Sequence, residues 1–168
     1  SQGVVDDLVN VCNFSAQRVE VLYNPGATRD VQSRAQRQPS HPWFTESNCP
    51  VLVAVGKLEP QKDFPMLLRA VKLVREQRNV RLIILGEGSL RTQLEKMIDD
   101  LALNDVVDMP GFESNPYAFM ASSAAFVLSS AHEGLPTVLV EALTCGCRVV
   151  ATDCPSGPHE ILRGGELG

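Results

Sequence analysis

Six apolar runs of four or five residues recur along this chain with longer amphipathic stretches between them, and that alternation constrains its fold more than any other feature. The runs are Val19 to Leu22, Val51 to Val55, Arg81 to Leu85, Val106 to Met109, Ala125 to Leu128 and Arg148 to Ala151. Their length and near-continuous apolarity predict strands buried on both faces. Between them, helical periodicity and start signals predict helices over Phe64 to Glu76, Ser89 to Leu101, Pro116 to Ser122 and Pro136 to Cys145. Strand–helix alternation leads to parallel pairing through right-handed crossovers. The expectation is an α/β fold, a doubly wound parallel sheet.

Such a Rossmann-like sheet binds ligands beyond the carboxyl ends of its strands. Lys57, Gly86 and Glu133 each lie just after a predicted strand, so convergence on one crevice is expected. The chain has 168 residues, 44% of them hydrophobic and 21% charged, which is enough apolar material for one sizeable core and too little charge for disorder. Residues 1–168 are therefore expected to form one domain. The stretch from Asn24 to Pro50 is Pro-rich and Arg-bearing without clear periodicity, and reads as a mobile surface loop.

The segment His132-Glu133-Gly134-Leu135-Pro136 through Glu141 carries the densest chemistry. Proline is tolerated in a helix's first turn, where its missing N–H costs nothing, so Pro136 marks a helix start. Gly134 and Leu135 then sit at a helix N-terminus, where free amides and the dipole favour an anion and glycine allows close approach. A phosphate suits that position. Within the helix, Thr137, Glu141 and either Thr144 or Cys145 share one face, while Val138, Leu139, Val140, Ala142 and Leu143 cover the rest. Glu141 is thus a charge on an otherwise buried helix and needs partners. Ligand hydroxyls are one set. The other reading has Glu133 and Glu141 facing solvent or paired with nearby Arg or Lys.

Other features bound the function. A net charge of −5 and a pI near 5.2 argue against a general nucleic-acid binder, so any anion site is local. Lys57 and Lys62 can supply that charge; alone, either reads as a solvated lysine. Gly86-Glu87-Gly88 is not a dinucleotide fingerprint, which would require glycine at Arg91. It reads as a tight strand-to-helix turn. The five cysteines are an odd count, and the Cys145, Cys147, Cys154 and His159 spacing fits no structural zinc pattern, so reduced structural thiols are expected. With neither a signal peptide nor an apolar run long enough for a bilayer in the sequence, the expected compartment is the cytoplasm.

Taken together, Glu133-Gly134-Leu135-Pro136 through Glu141 resembles the E-x7-E motif of retaining GT-B glycosyltransferases. Val55-Gly56-Lys57-Leu58 with Gln61-Lys62-Asp63-Phe64 is similar to that family's Gly-Arg-Leu and Gln-Lys-Gly pair, with Lys57 in place of the commoner Arg. Charge is kept there, but the planar fork is lost. Leu85-Gly86-Glu87-Gly88 and Pro110-Gly111-Phe112 fall where the family has comparable turns, and Ser1-Gln2-Gly3-Val4 with Asp7-Leu8, and Tyr23-Asn24-Pro25, resemble its lead-in. The resemblance implies one half of a GT-B fold, the C-terminal nucleotide-sugar-binding domain, lacking an N-terminal acceptor domain and final C-terminal elements.

The same resemblance implies a hexosyltransferase that moves a hexosyl or N-acetylhexosaminyl group from a nucleotide-diphosphate sugar, UDP-linked by preference, to a glycan or lipid-linked acceptor. Ser156-Gly157-Pro158-His159 is similar to enzymes using UDP-linked N-acetylhexosamines. Lys57, Lys62 and the amides of Gly134 and Leu135 would hold the diphosphate, Glu141 the ribose, Glu133 the transferred sugar's hydroxyls, and Phe112 the base. Phe112 reads equally as a core residue, and His132 as a donor contact or a turn residue. Glu133 and Lys62 are the catalytic candidates. No cofactor and no metal are implied, and the sequence contains no Asp-x-Asp. The fragment alone is expected to bind donor weakly without transferring sugar. Peripheral association with the inner face of a membrane would run through the absent half. Two rivals stand beside this reading: a GT-B sugar-nucleotide epimerase and a non-catalytic nucleotide-binding module.

Overall fold

The computed structural model describes residues 1–24, 28–45, 48–154 and 156–167. Its helices are α1 (Gln2–Asn10), α2 (Arg29–Ala35), α3 (Phe64–Arg75), α4 (Arg91–Asp100), α5 (Pro116–Ser122), α6 (Thr137–Thr144) and α7 (Pro158–Ile161). The strands are β1 (Val51–Val55), β2 (Arg81–Leu85), β3 (Val107–Gly111), β4 (Ala125–Leu128) and β5 (Val149–Ala151). Every paired strand is parallel to its neighbour, and the order is β3-β2-β1-β4-β5. The chain winds outward from β1 to β3, then returns to place β4 beside β1. That reversal opens a crevice between the carboxyl ends of β1 and β4, the place where sheets of this topology bind ligands.

Alternate residues of the strands supply the two faces. Ala54, Leu82 and Ile84 pack with Leu67, Leu68 and Val71 of α3 and Leu94 and Ile98 of α4. Val53, Ile83 and Leu85 point the other way, against Phe119 of α5 and the partly buried Trp43 and Phe44. Phe126, Leu128 and Val149 meet Met120, Leu139 and Ala142 of α5 and α6. A sheet buried on both faces explains why its strands read as apolar runs rather than alternations. On α3 the buried residues Phe64, Leu67, Leu68 and Val71 follow the helical repeat, and Asp63 caps the helix by accepting the Met66 amide at 3.2 Å.

Four of the expected helices and five of the expected strands are present, with ends displaced by at most two residues. Val19 to Leu22 is not a strand: it has no regular structure and lies outside the sheet, and Leu22 is 82% exposed. Strand propensity yields a strand only where an edge and a face are available to cover it. The stretch from Asn24 to Pro50 also departs from its loop reading. Pro25, at its start, lies outside the described residues. Beyond that, Thr28 caps α2 by accepting the Val31 amide at 3.3 Å, and Val31 and His41 are buried. His41 donates from one ring nitrogen's side to Asp108 (Nε2 to Oδ2, 2.8 Å) and accepts the Trp43 amide on Nδ1 at 3.2 Å. A helix of only 7 residues has too few turns for a periodic signal. No helix among the described residues is long and apolar enough to cross a membrane.

Candidate functional site

The crevice is built by zipping the loop after β1 to the loops after β2 and β4. Gly56 N donates to Leu85 O at 3.0 Å and Leu58 N to Glu87 O at 2.9 Å, drawing the β1 and β2 ends together. Gly86 has φ +144°, and a Cβ there would sit 1.9 Å from Gly56 O, so only glycine permits this approach. Glu59 accepts both the amide and the hydroxyl of Ser89, at 3.1 and 2.8 Å, which hold its carboxyl below the usual range with help from Lys57. On the other side, Ala131 N donates to Gln61 O at 2.9 Å and Gln61 Nε2 to His132 O at 3.0 Å. The Ser129 hydroxyl donates to Lys62 O at 2.7 Å.

At the centre of this zipper, Lys62 Nζ meets Glu133 Oε1 at 2.5 Å, with side chains only 17% and 7% exposed. Glu133 is further fixed by the Ser130 hydroxyl, which donates to the same oxygen at 2.6 Å, and by the Ser156 hydroxyl on its carbonyl at 2.6 Å. Thr152 Oγ1 donates to Ser130 O at 2.6 Å, tying the β5 end to the same loop. The lysine stem passes over Gly56, where a Cβ would lie 3.1 Å from Lys62 Cε. The pairing of Glu133 with a nearby lysine, the alternative left open by the sequence, is therefore realised. An ion pair this buried is held by its hydrogen bonds as much as by its charges.

Pro136 is the N-cap of α6 rather than its first residue, with ψ 98°. The first-turn amides are consequently those of Thr137 and Val138, and Gly134 and Leu135 occupy the half-buried loop leading into the helix. Among the described residues a Cβ on Gly134 would meet only Val4 Cγ2, at 3.7 Å. Glu141, one turn along α6, is half-buried and accepts the Tyr117 hydroxyl at 3.3 Å. Lys57 is exposed and lines an open cavity of about 380 Å³ whose other walls include Val55, Gly86, Phe112 and Pro116. Phe112 is 80% exposed on that wall, which removes its reading as a core residue. Glu87, also on the wall, is held by Arg91 through two 2.7 Å bonds; Glu87 and then Glu95 push the Arg91 guanidinium up, against the opposing effect of burial.

The predicted residues thus separate into two neighbouring groups. Lys62, Glu133, Gly134 and Leu135 lie along the β1–β4 crevice, and Lys57 and Phe112 line the cavity beside it, joined through Gly56. Gln61 and Ser156 lie within motifs quoted from the sequence, whereas Ser130, Thr152 and Tyr117 are not singled out by it; isolated polar residues leave no periodic trace. His159 is exposed and pairs with Asp153 at 2.9 Å. Cys12, Cys145, Cys147 and Cys154 are free thiols, and Cys145 is pushed up to about 11 by burial, with Cys147 and Glu141 adding to it. Among the described residues no group of three or more His, Cys, Asp or Glu is placed to hold a metal ion.

Residues 38–168 match the family model described as "Glycosyl transferases group 1". The chain is 34% identical over 168 residues to the N-acetylgalactosamine-N,N'-diacetylbacillosaminyl-diphospho-undecaprenol 4-alpha-N-acetylgalactosaminyltransferase of Campylobacter jejuni subsp. jejuni serotype O:2, covering 100% of this chain and 44% of that protein. Among solved structures it resembles the apo form of the lipopolysaccharide outer core galactosyltransferase WaaB, with TM-score 0.71, 29% identity, and 95% and 43% of the two chains covered. It also resembles a mutant of S. aureus TarM in complex with Fondaparinux, alpha-GlcNAc-glycerol and UDP, with TM-score 0.66, 26% identity, and 76% and 25% covered. The chain spans less than half the length of each of these proteins.

Proposed function

This chain belongs to the glycosyl transferases group 1 family, and from that premise we propose that it is the nucleotide-sugar-binding half of a retaining glycosyltransferase. The donor is a UDP-linked hexose or N-acetylhexosamine, and the acceptor a glycan or lipid-linked saccharide. The observation that carries this reading is the buried Lys62–Glu133 pair at the β1–β4 crevice, beside an apolar cavity that Lys57 flanks. The similarity to a transferase named for an N-acetylgalactosaminyl group and a diphospho-undecaprenol acceptor supports the sugar and acceptor class, and the UDP bound to TarM supports the base.

In this reading the cavity takes the nucleobase against Phe112, and Glu141 binds the ribose. Lys57 and Lys62 flank the diphosphate, with the backbone of Gly134 and Leu135 and the positive end of α6 behind it. Cleaving the bond from the anomeric carbon to the diphosphate builds negative charge on the leaving group, which prepositioned cations stabilise as it forms. Glu133 orients the sugar hydroxyls, and no divalent metal is required. The remainder of the longer protein supplies the acceptor half, any membrane contact runs through it, and the whole enzyme works at the cytoplasmic side. This chain alone binds donor and transfers no sugar.

Calorimetric titration with UDP, GDP and ADP and their sugar conjugates, with and without magnesium, tests the proposal. One diphosphate should bind preferentially and without metal, and that binding should be lost in Glu141→Ala. Lys57→Ala with Lys62→Ala should weaken binding more than tenfold, about 1.4 kcal/mol. Equal binding of all three diphosphates by the wild type, or diphosphate binding left unchanged in Glu141→Ala, sinks the reading.

A further inference from the structure

Glu141 is anchored by a residue that the reading above does not use. Tyr117 donates its hydroxyl to Glu141 Oε1 at 3.3 Å, and among the described residues no hydrogen bond reaches Oε2. Tyr117 follows Pro116, which lines the cavity, so the residue that holds Glu141 is joined directly to the cavity wall. Burial first, and the Glu141 charge second, push the Tyr117 phenol up, which keeps it a donor through neutral and mildly alkaline pH.

Tyr117 is itself clamped by α2. The Arg34 guanidinium lies 4.7 Å over its ring. The same guanidinium donates to the carbonyl of Ser114, ahead of α5, and Asn115 Nδ2 donates to Arg34 O at 3.1 Å. Three contacts from one residue fix the first turn of α5 against α2 and leave the phenol little room to swing. A glutamate's terminal torsion is broad, so an untethered carboxylate would be ordered only on binding. Anchoring one oxygen beforehand removes that cost and leaves the other aimed.

We propose that Tyr117, stacked under Arg34, is a positioning residue for Glu141, occupying one carboxylate oxygen so that the other meets the ribose diol of a nucleoside diphosphate. This rests on Glu141 being the ribose-binding group. The experiment compares, by calorimetry on this chain, UDP with 2′,3′-dideoxyuridine diphosphate, which lacks the diol. The wild type should prefer UDP by about tenfold or more, as befits hydrogen bonds to a charged acceptor. Tyr117→Phe keeps the ring and its stacking, so it should leave dideoxy binding within about twofold while cutting the UDP preference at least about threefold. Arg34→Met should move the preference in the same direction, with circular dichroism checking that each variant is folded. An unchanged preference in Tyr117→Phe, with the preference lost in Glu141→Gln, overturns the positioning role and leaves the ribose role of Glu141 standing. A wild type that binds UDP without preferring it overturns both roles of the pair, and absence of UDP binding overturns the donor reading on which they rest.

Discussion

Lys62 and Glu133 satisfy each other in the crevice, so removing one leaves the other buried and charged. Lys62→Ala strands a carboxylate whose remaining partner is the Ser130 hydroxyl, and a loss of about 3–5 kcal/mol in urea denaturation is expected. Glu133→Gln keeps a hydrogen-bonding oxygen and should lose less. Its effect on ligands is the sharper prediction: Lys62 is freed from an internal competitor, so UDP should bind more tightly, while the extra affinity for UDP-sugar over UDP should shrink. Calorimetry showing both ligands weakened equally would count against Glu133 as the sugar-orienting group. Cys145 offers a pH test. Its thiol, pushed up to about 11 from the ordinary value of 9.0, holds the proton more strongly in the folded state. Its contribution is complete below about pH 9 and is lost as pH rises through 11. Between pH 8 and 10.5 the wild type should therefore lose more stability than Cys145→Ala, and equal losses would refute the shift.

At the scale of elements, the β1 and β2 ends approach so closely that Gly86 is indispensable. Gly86→Ala combines a left-handed φ with a 1.9 Å overlap on Gly56 O, and a cost of about 1–3 kcal/mol or more is expected, with weakened nucleotide binding because Lys57 and Lys62 are carried by the displaced loop. Wild-type thermal stability in that variant would show that the two loops are not packed as described. The helix α2 was the element least legible beforehand. Its cap, Thr28, and its first-turn Asp30 are ordinary start signals, but with 7 residues and one buried side chain, Val31, it relies on docking against α5 rather than on its own periodicity. Thr28→Ala should cost about 0.5–2 kcal/mol in chemical denaturation. The opposite failure, at Val19 to Leu22, has the same cause: propensity without a surface to cover.

For the whole molecule, the parallel sheet and its two helical layers turn a linear alternation into a site. The order β3-β2-β1-β4-β5 brings Lys62 and Glu133 together although 71 residues separate them. Core and site share the same strands, Phe126 of β4 being fully buried a few residues before Ser130 and Glu133. Phe126→Ala should accordingly cost about 3–5 kcal/mol and lower the midpoint of a single cooperative transition followed by fluorescence and circular dichroism together. Separate transitions for the two probes would show that the β4 side unfolds on its own.

The sequence by itself determined the alternation of strands and helices, the positions of the loops at the carboxyl ends, and most residues of the crevice, because burial on both faces and the spacing of glycines and prolines are local properties of the chain. The tertiary structure decided that Lys62 pairs with Glu133, that Phe112 stands on a cavity wall, that the amides at the start of α6 belong to Thr137 and Val138, and that α2 reaches Glu141 through Tyr117. Those outcomes depend on which loops the winding order makes neighbours, and a hydrogen bond between residues distant along the chain leaves no mark on the residues beside either one.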